Sequence, residues 1–197
     1  MHSYSTDTRE RRVIAFFIAA AAIGASIGIG YLLTRAEIAI PGWVSPLDAL
    51  TFYGMIYWLF DVVIWKWSFI GRIRISRLPD LSGVWQGYVT TTRSGSSAPV
   101  NTSTAITMTI RQTWTRLSIR TQTAQSSSRS LSANMIVSEE CTLSYEYHNE
   151  PGAGAPEPLH AHRGLATLSL KGDKLHGEYF SGRDRQNIGT IEVMRRS

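Results

Sequence analysis

The sequence has one cysteine, Cys141, in 197 residues, so neither an internal disulfide nor a zinc site built on several thiolates can form. That scarcity fits a reducing compartment for the soluble part. P-loop, dinucleotide-binding and zinc-protease signatures are all missing. No two carboxylates are spaced for acid–base work. His160 and His162 would share one face of a strand, but no third ligand accompanies them. The residues therefore indicate no enzyme, no metal site and no cofactor. Residues 78–197 also lack any capped apolar run of 3.6-residue period, which excludes a long helix there. Charge of one sign is lacking too. The net charge is +5, yet residues 78–197 carry 12 basic and 10 acidic side chains. A polymeric DNA or RNA partner would call for a dominant basic face.

What is present begins with long apolar runs. Val13 to Leu33 is free of charge for 21 residues, enough to cross a hydrocarbon core of about 30 Å. Arg9, Arg11 and Arg12 precede it. A signal peptide is the competing reading, but the run is long for one and a second follows, from about Leu47 to Phe69. Ser45 and Pro46 suit the second helix's start, and Arg72, Arg74 and Arg77 crowd its far end. Positive charge flanks the outer ends of both spans, which predicts both termini in the cytoplasm and a short external loop. Residues 1–77 thus read as a two-helix anchor with spans at about 13–33 and 47–69.

Two anchor features exceed simple spanning. Ala20, Gly24 and Gly28 repeat every four residues, as do Ala22, Ser26 and Gly30, and such rows permit close helix approach. The approach is either within one protomer or between protomers. Asp61 falls near the middle of the second span, where a carboxylate marks a functional candidate.

Leu78-Pro79-Asp80 marks the boundary of a second domain, residues 78–197. Period-two alternation places eight strands at about 82–92, 103–113, 115–123, 128–138, 142–149, 162–171, 174–182 and 187–195. Hairpin-length connections favour an up-and-down antiparallel barrel, with a sandwich as rival. Odd-numbered connections, two of them long, share one end and form a mouth. The even-numbered connections are short and share the end nearest the anchor, where Trp85 forms a plug. Arg93, Arg129, Arg183 and Arg185 fall near the mouth beside Glu150, Glu157 and Asp184. Tyr145, Tyr147 and Tyr179 are either base-stacking platforms or core residues with satisfied hydroxyls.

The order of several short motifs resembles the transmembrane β-barrel effectors of bacterial cyclic-oligonucleotide antiphage signalling (CBASS), the SMODS-associated two-transmembrane family. These motifs are Leu81-x-Gly83-x-Trp85-x-Gly87, Gln112-x-Trp114, Thr121, Tyr145-x-Tyr147-x-Asn149-x-Pro151 and His162-x-Gly164. Leu175-x-Gly177-x-Tyr179-x-Ser181-x-Arg183 and Gly189-x-Ile191 complete the set. The resemblance covers the whole chain. It implies a lipocalin-like eight-stranded barrel that receives a cyclic dinucleotide made by a partner nucleotidyltransferase. It further implies oligomerisation, then disruption of the bacterial inner membrane by the helices, with growth arrest or cell death. Under that resemblance Tyr145, Tyr147 and Tyr179 stack on bases, Thr121 and Ser132 hydrogen-bond, and Arg183 and Arg185 meet phosphates. Asp61, Gly24 and Gly28 serve the membrane step. The strand around Ser132 has two readings, since Leu131, Ala133 and Met135 form the alternative inward set. A tethered lipocalin-like carrier of an apolar metabolite, or a scaffold without ligand, are the competing functions.

Overall fold

The computed structural model describes residues 1–38, 44–67, 76–93, 101–137, 140–152, 161–182 and 186–196, with backbone alone over 44–48. The chain forms two units, Thr8–Leu78 and Met1–Asp7 together with Pro79–Ser197.

In the first unit, helix α1 runs Glu10–Arg35 and α2 runs Val44–Val62. α1 spans about 39 Å at 1.5 Å per residue. Among the described residues it is the one helix long and apolar enough to cross a membrane. Ile14, Ile18 and Ala22, four apart, form its buried face, and α1 packs on α2. Gly24 and Gly28 lie elsewhere: a methyl group added at either would meet nothing within 4 Å. Their row is open among the described residues. The second helix is shorter than the expected 47–69 span. It stops at Val62 and gives way to a 3₁₀ turn, Ile64–Lys66. The β-branched run Val62-Val63-Ile64 disfavours helix through crowding of χ1. Asp61 is consequently the penultimate residue of α2 and not at the middle of a helix.

The second unit is a closed barrel. Two short strands come first, β1 (His2–Ser3) and β2 (Ser5–Thr6). Eight longer ones follow: β3 (Gly83–Arg93), β4 (Thr102–Gln112), β5 (Arg116–Gln122), β6 (Ser126–Ile136), β7 (Thr142–Pro151), β8 (His162–Lys171), β9 (Lys174–Ser181) and β10 (Ile188–Arg195). Each of the eight pairs antiparallel with its chain neighbours, and β10 returns to β3 through pairs from Ile188↔Arg93 to Arg195↔Trp85. That closing ladder excludes the sandwich. The eight expected strands are the eight long strands observed, because a two-residue apolar–polar period marks most of them.

Inward side chains divide the barrel into two zones. In the half containing Trp85, the side chains of Met108, Ile110, Leu117, Ile119, Met135, Leu143, Leu168, Leu175 and Val193 are fully buried. They fill the interior as a dry core. Trp85 donates its indole N–H to the Leu81 carbonyl at 3.0 Å, and the Arg195 guanidinium lies 4.7 Å from its ring centre. Arg195 also donates to the carbonyls of Asp80 and Ser82, so this end is sealed by a cation over an aromatic face. Gln112 seals it further. Its amide oxygen accepts from the Leu81 N–H at 2.8 Å, and its amide nitrogen donates to Pro79 O and the Tyr4 hydroxyl.

Candidate functional site

Above that core the inward residues change character. Strand alternation carries Tyr145 to Tyr147 and Asn149 on β7, and Tyr179 to Ser181 on β9. It carries Ile106 to Thr104 on β4, and Ile119 to Thr121 on β5. Together they enclose a cavity of about 250 Å³, which His162, Thr91, Thr123, Ser126 and Ser128 also line. No Lys, Arg, Asp or Glu is among its described lining residues. The surface offered is aromatic faces edged by hydroxyls and amides, a chemistry suited to stacking and neutral hydrogen bonding.

The tyrosines are held by their neighbours. Tyr145 pairs in register with Ala166, and Ala166 with Tyr179; Tyr147 pairs with Gly164. Large residues thus face small ones across the ladder. A side chain at Gly164 would overlap the Tyr147 hydroxyl, and one at Gly189 would press on the Tyr179 ring. These glycines let the rings lie against the wall. The Tyr179 hydroxyl shares a 2.6 Å hydrogen bond with Thr91, while the Tyr147 ring meets His162 edge-on with centroids 6.5 Å apart. Burial, and secondarily the neighbouring Tyr147, holds the Tyr145 phenol above its usual pKa, so it stays neutral. At Ser181 the hydroxyl accepts from Asn187 N–H at 2.9 Å and tethers the β9–β10 connection.

The expected site residues divide accordingly. Thr121, Tyr145, Tyr147 and Tyr179 all line the cavity. Ser132 does not: it is exposed and its hydroxyl reaches Glu146 at 3.4 Å on the outer face. A bulge between Ser130 and Ser132 is the cause. The extra residue, Leu131, shifts the alternation by one, so Ser126 and Ser128 face inward above it while Ala133 and Met135 face inward below. Both readings of this strand therefore apply, each to one half. Arg129 turns outward and lies 3.6 Å from Glu150. Arg183, Arg185 and His160 lie outside the described residues. His162 is buried and faces the cavity. Among the described residues no three His, Cys, Asp or Glu side chains gather for a metal. Asn149, Ser181, His162 and Ser128 were not assigned roles from sequence. The first three were legible as the next inward positions along strands already carrying a tyrosine or glycine. Ser128 belongs to the even-numbered set that the inward reading of Ser132 implied, and the bulge displaces only the members beyond Ser130.

Comparison with known proteins follows the same division. A family model described as Cap15, cyclic dinucleotide receptor domain, matches residues 76–195, and one described as Cap15, TM helices, matches residues 12–66. The chain is similar to CD-NTase-associated protein 15 of Yersinia aleksiciae, with 31% identity over 155 residues. That alignment covers 77% of this chain and 71% of the relative.

Proposed function

Because the chain belongs to the Cap15 family of cyclic dinucleotide receptors with membrane helices, we propose that it is a CBASS effector in which ligand capture by the barrel triggers membrane damage. The nucleotide is supplied by a partner nucleotidyltransferase, to which the effector is linked through that product. Residues up to 77 that follow the barrel-paired N-terminal segment form a two-span anchor in the bacterial inner membrane, with both termini and the barrel in the cytoplasm. Ligand binding drives oligomerisation, and the helices then breach the bilayer.

One observation carries the receptor half: a cavity with Tyr145, Tyr147 and Tyr179 on its walls and Thr121, Ser128, Asn149 and His162 between them. An apolar metabolite would require Leu, Ile and Phe where this cavity has Thr, Ser and Asn. Phosphate contacts fall to Arg183 and Arg185 of the β9–β10 connection, and stacking to the three tyrosines. For the membrane half, the open row at Gly24 and Gly28 supports contact between copies, with Asp61 near the end of α2 as a polar partner.

Calorimetry of the full chain in detergent micelles against cyclic dinucleotides of adenine, guanine, uracil and cytosine tests the first half. Binding of at least one at micromolar Kd or tighter, with linear dinucleotides much weaker, is expected. Absence of binding across the panel refutes the receptor reading. Gly24→Leu with Gly28→Leu tests the second. Ligand-dependent toxicity on expression should vanish while binding persists, and unchanged toxicity would reject the helix-contact role.

A further inference from the structure

The N-terminal segment Met1–Asp7 occupies a slot in the barrel wall. Strands β5 and β6 pair over only three positions, Arg120↔Arg129, Thr121↔Ser128 and Gln122↔Ser127. Neighbouring strands do better: β4 and β5 share six pairs, β7 and β8 share eight. Toward the sealed end β5 and β6 part, and the N-terminal segment fills the gap. β1 runs antiparallel to β5 (His2↔Leu117, Ser3↔Arg116) and β2 runs parallel to β6 (Ser5↔Asn134, Thr6↔Met135). Between them Tyr4 is buried and donates its hydroxyl to the Trp114 carbonyl at 3.0 Å. His2 Nε2 lies 2.7 Å from the Ser130 hydroxyl, which also accepts the Ile119 N–H at 3.0 Å. The Asp7 carboxylate accepts from Val137 N–H at 2.9 Å.

The same seam borders the cavity. Thr121 and Ser128, whose hydroxyls are hydrogen-bonded to each other, form the middle pair between β5 and β6 and both line the cavity. Two positions below Ser128, Ser130 holds His2. A ligand that engages the Thr121 and Ser128 hydroxyls must divert that mutual bond. A cyclic dinucleotide must also enlarge a 250 Å³ space, which lies below the roughly 300–1,000 Å³ of common ligand sites. The wall yields where its ladder is shortest.

We propose that the N-terminal segment is a strand latch, and that ligand entry parts β5 from β6 and expels it from its slot. This rests on the receptor reading above. Three residues beyond Asp7, at Glu10, the chain enters α1, so an expelled latch remains joined to a membrane helix and gives cavity occupancy a covalent route to it. Such an element belongs to the least stable part of a fold, since it consists of two two-residue strands and one buried ring. Linkage is reciprocal: whatever weakens the latch strengthens ligand binding, and whatever locks it weakens binding.

The Ser5 and Asn134 side chains already meet at 3.1 Å, which places a disulfide there within reach. The test uses full-length S5C/N134C with C141S, in detergent, titrated with the cyclic dinucleotide that the wild-type chain binds. The oxidised form should bind about tenfold or more weakly than the same protein after reduction, and Tyr4→Ala about tenfold more tightly than wild type. In wild type, the ligand should speed exchange of the Val137 amide. Equal affinity in oxidised and reduced forms, with Val137 exchange unchanged by ligand, overturns the latch alone. Absence of binding by the wild-type chain overturns the receptor reading and the latch with it.

Discussion

Replacing Gln112 by leucine removes one side chain that holds three chain segments together. The loss can be apportioned from its partners. The Leu81 N–H, in a fully buried residue, has the Gln112 amide oxygen at 2.8 Å, and stranding that donor costs about 2 kcal/mol. The Tyr4 hydroxyl keeps its bond to Trp114 and loses only a long accepted one, about 0.5 kcal/mol. Pro79 O is in a partly buried contact that water can replace, again about 0.5 kcal/mol. The sum is about 3 kcal/mol, or a fall in Tm of roughly 10 °C for a domain of this size. Urea denaturation of the full chain in detergent measures it, with tyrosine-to-phenylalanine at position 4 as the partner variant. Tyr4→Phe alone should cost about 1 kcal/mol. Because the two side chains share a bond, the double variant should cost less than the sum of the singles. A Gln112→Leu loss below 1 kcal/mol, or strict additivity with Tyr4→Phe, would refute the idea that Gln112 staples the sealed end.

Three further expectations are independent of that staple. Gly87→Ala places a methyl on the Glu192 carbonyl and the Val193 Cα, both backbone, and should destabilise the barrel by about 3 kcal/mol in the same urea assay. Thr121→Val keeps shape while removing the hydroxyl at the β5–β6 seam. Calorimetry should show cyclic dinucleotide affinity reduced roughly five- to tenfold, the worth of one hydrogen bond. Cys141 is half-buried, and burial, assisted by the Asp7 carboxylate, raises its pKa to about 11. Only the thiolate reacts, so iodoacetamide at pH 8 should modify it about 100-fold more slowly than a thiol ionising near 9. The neutral thiol favours the folded state. That contribution is complete below pH 9 and is lost as pH rises toward 11, so wild-type stability should fall over that range and Cys141→Ala should lose that part of the pH dependence.

Much of the barrel could be read directly, and the reason is local. Residues such as Ile106-x-Met108-x-Ile110 and Leu117-x-Ile119 obey a two-residue period that no helix tolerates, so strand ends were placed within about two residues. The site was legible where that period ran unbroken, as from Tyr145 to Tyr147 and from Gly177 to Tyr179. It failed at Ser132, because a bulge adds one residue without any marker such as glycine or proline. The latch was illegible for another reason. His-Ser-Tyr-Ser-Thr carries one large apolar group, and its strand character comes from the slot that β5 and β6 leave open. The end of α2 was misjudged because hydropathy continues past Val62 while helix propensity does not.

The ladder that closes the barrel has a consequence for how the chain is made. Trp85 and Arg195 face each other in the first and last of the eight long strands, with the other six between them in sequence. Joining them requires closing a loop of more than 100 residues, so this rung forms late. Until β10 emerges during synthesis, β3 has one unpaired edge, with Trp85 uncovered and Arg195 absent from its ring. A chain cut before Ile188 keeps that edge open and should aggregate where the intact barrel stays monodisperse, which size-exclusion chromatography in detergent would show.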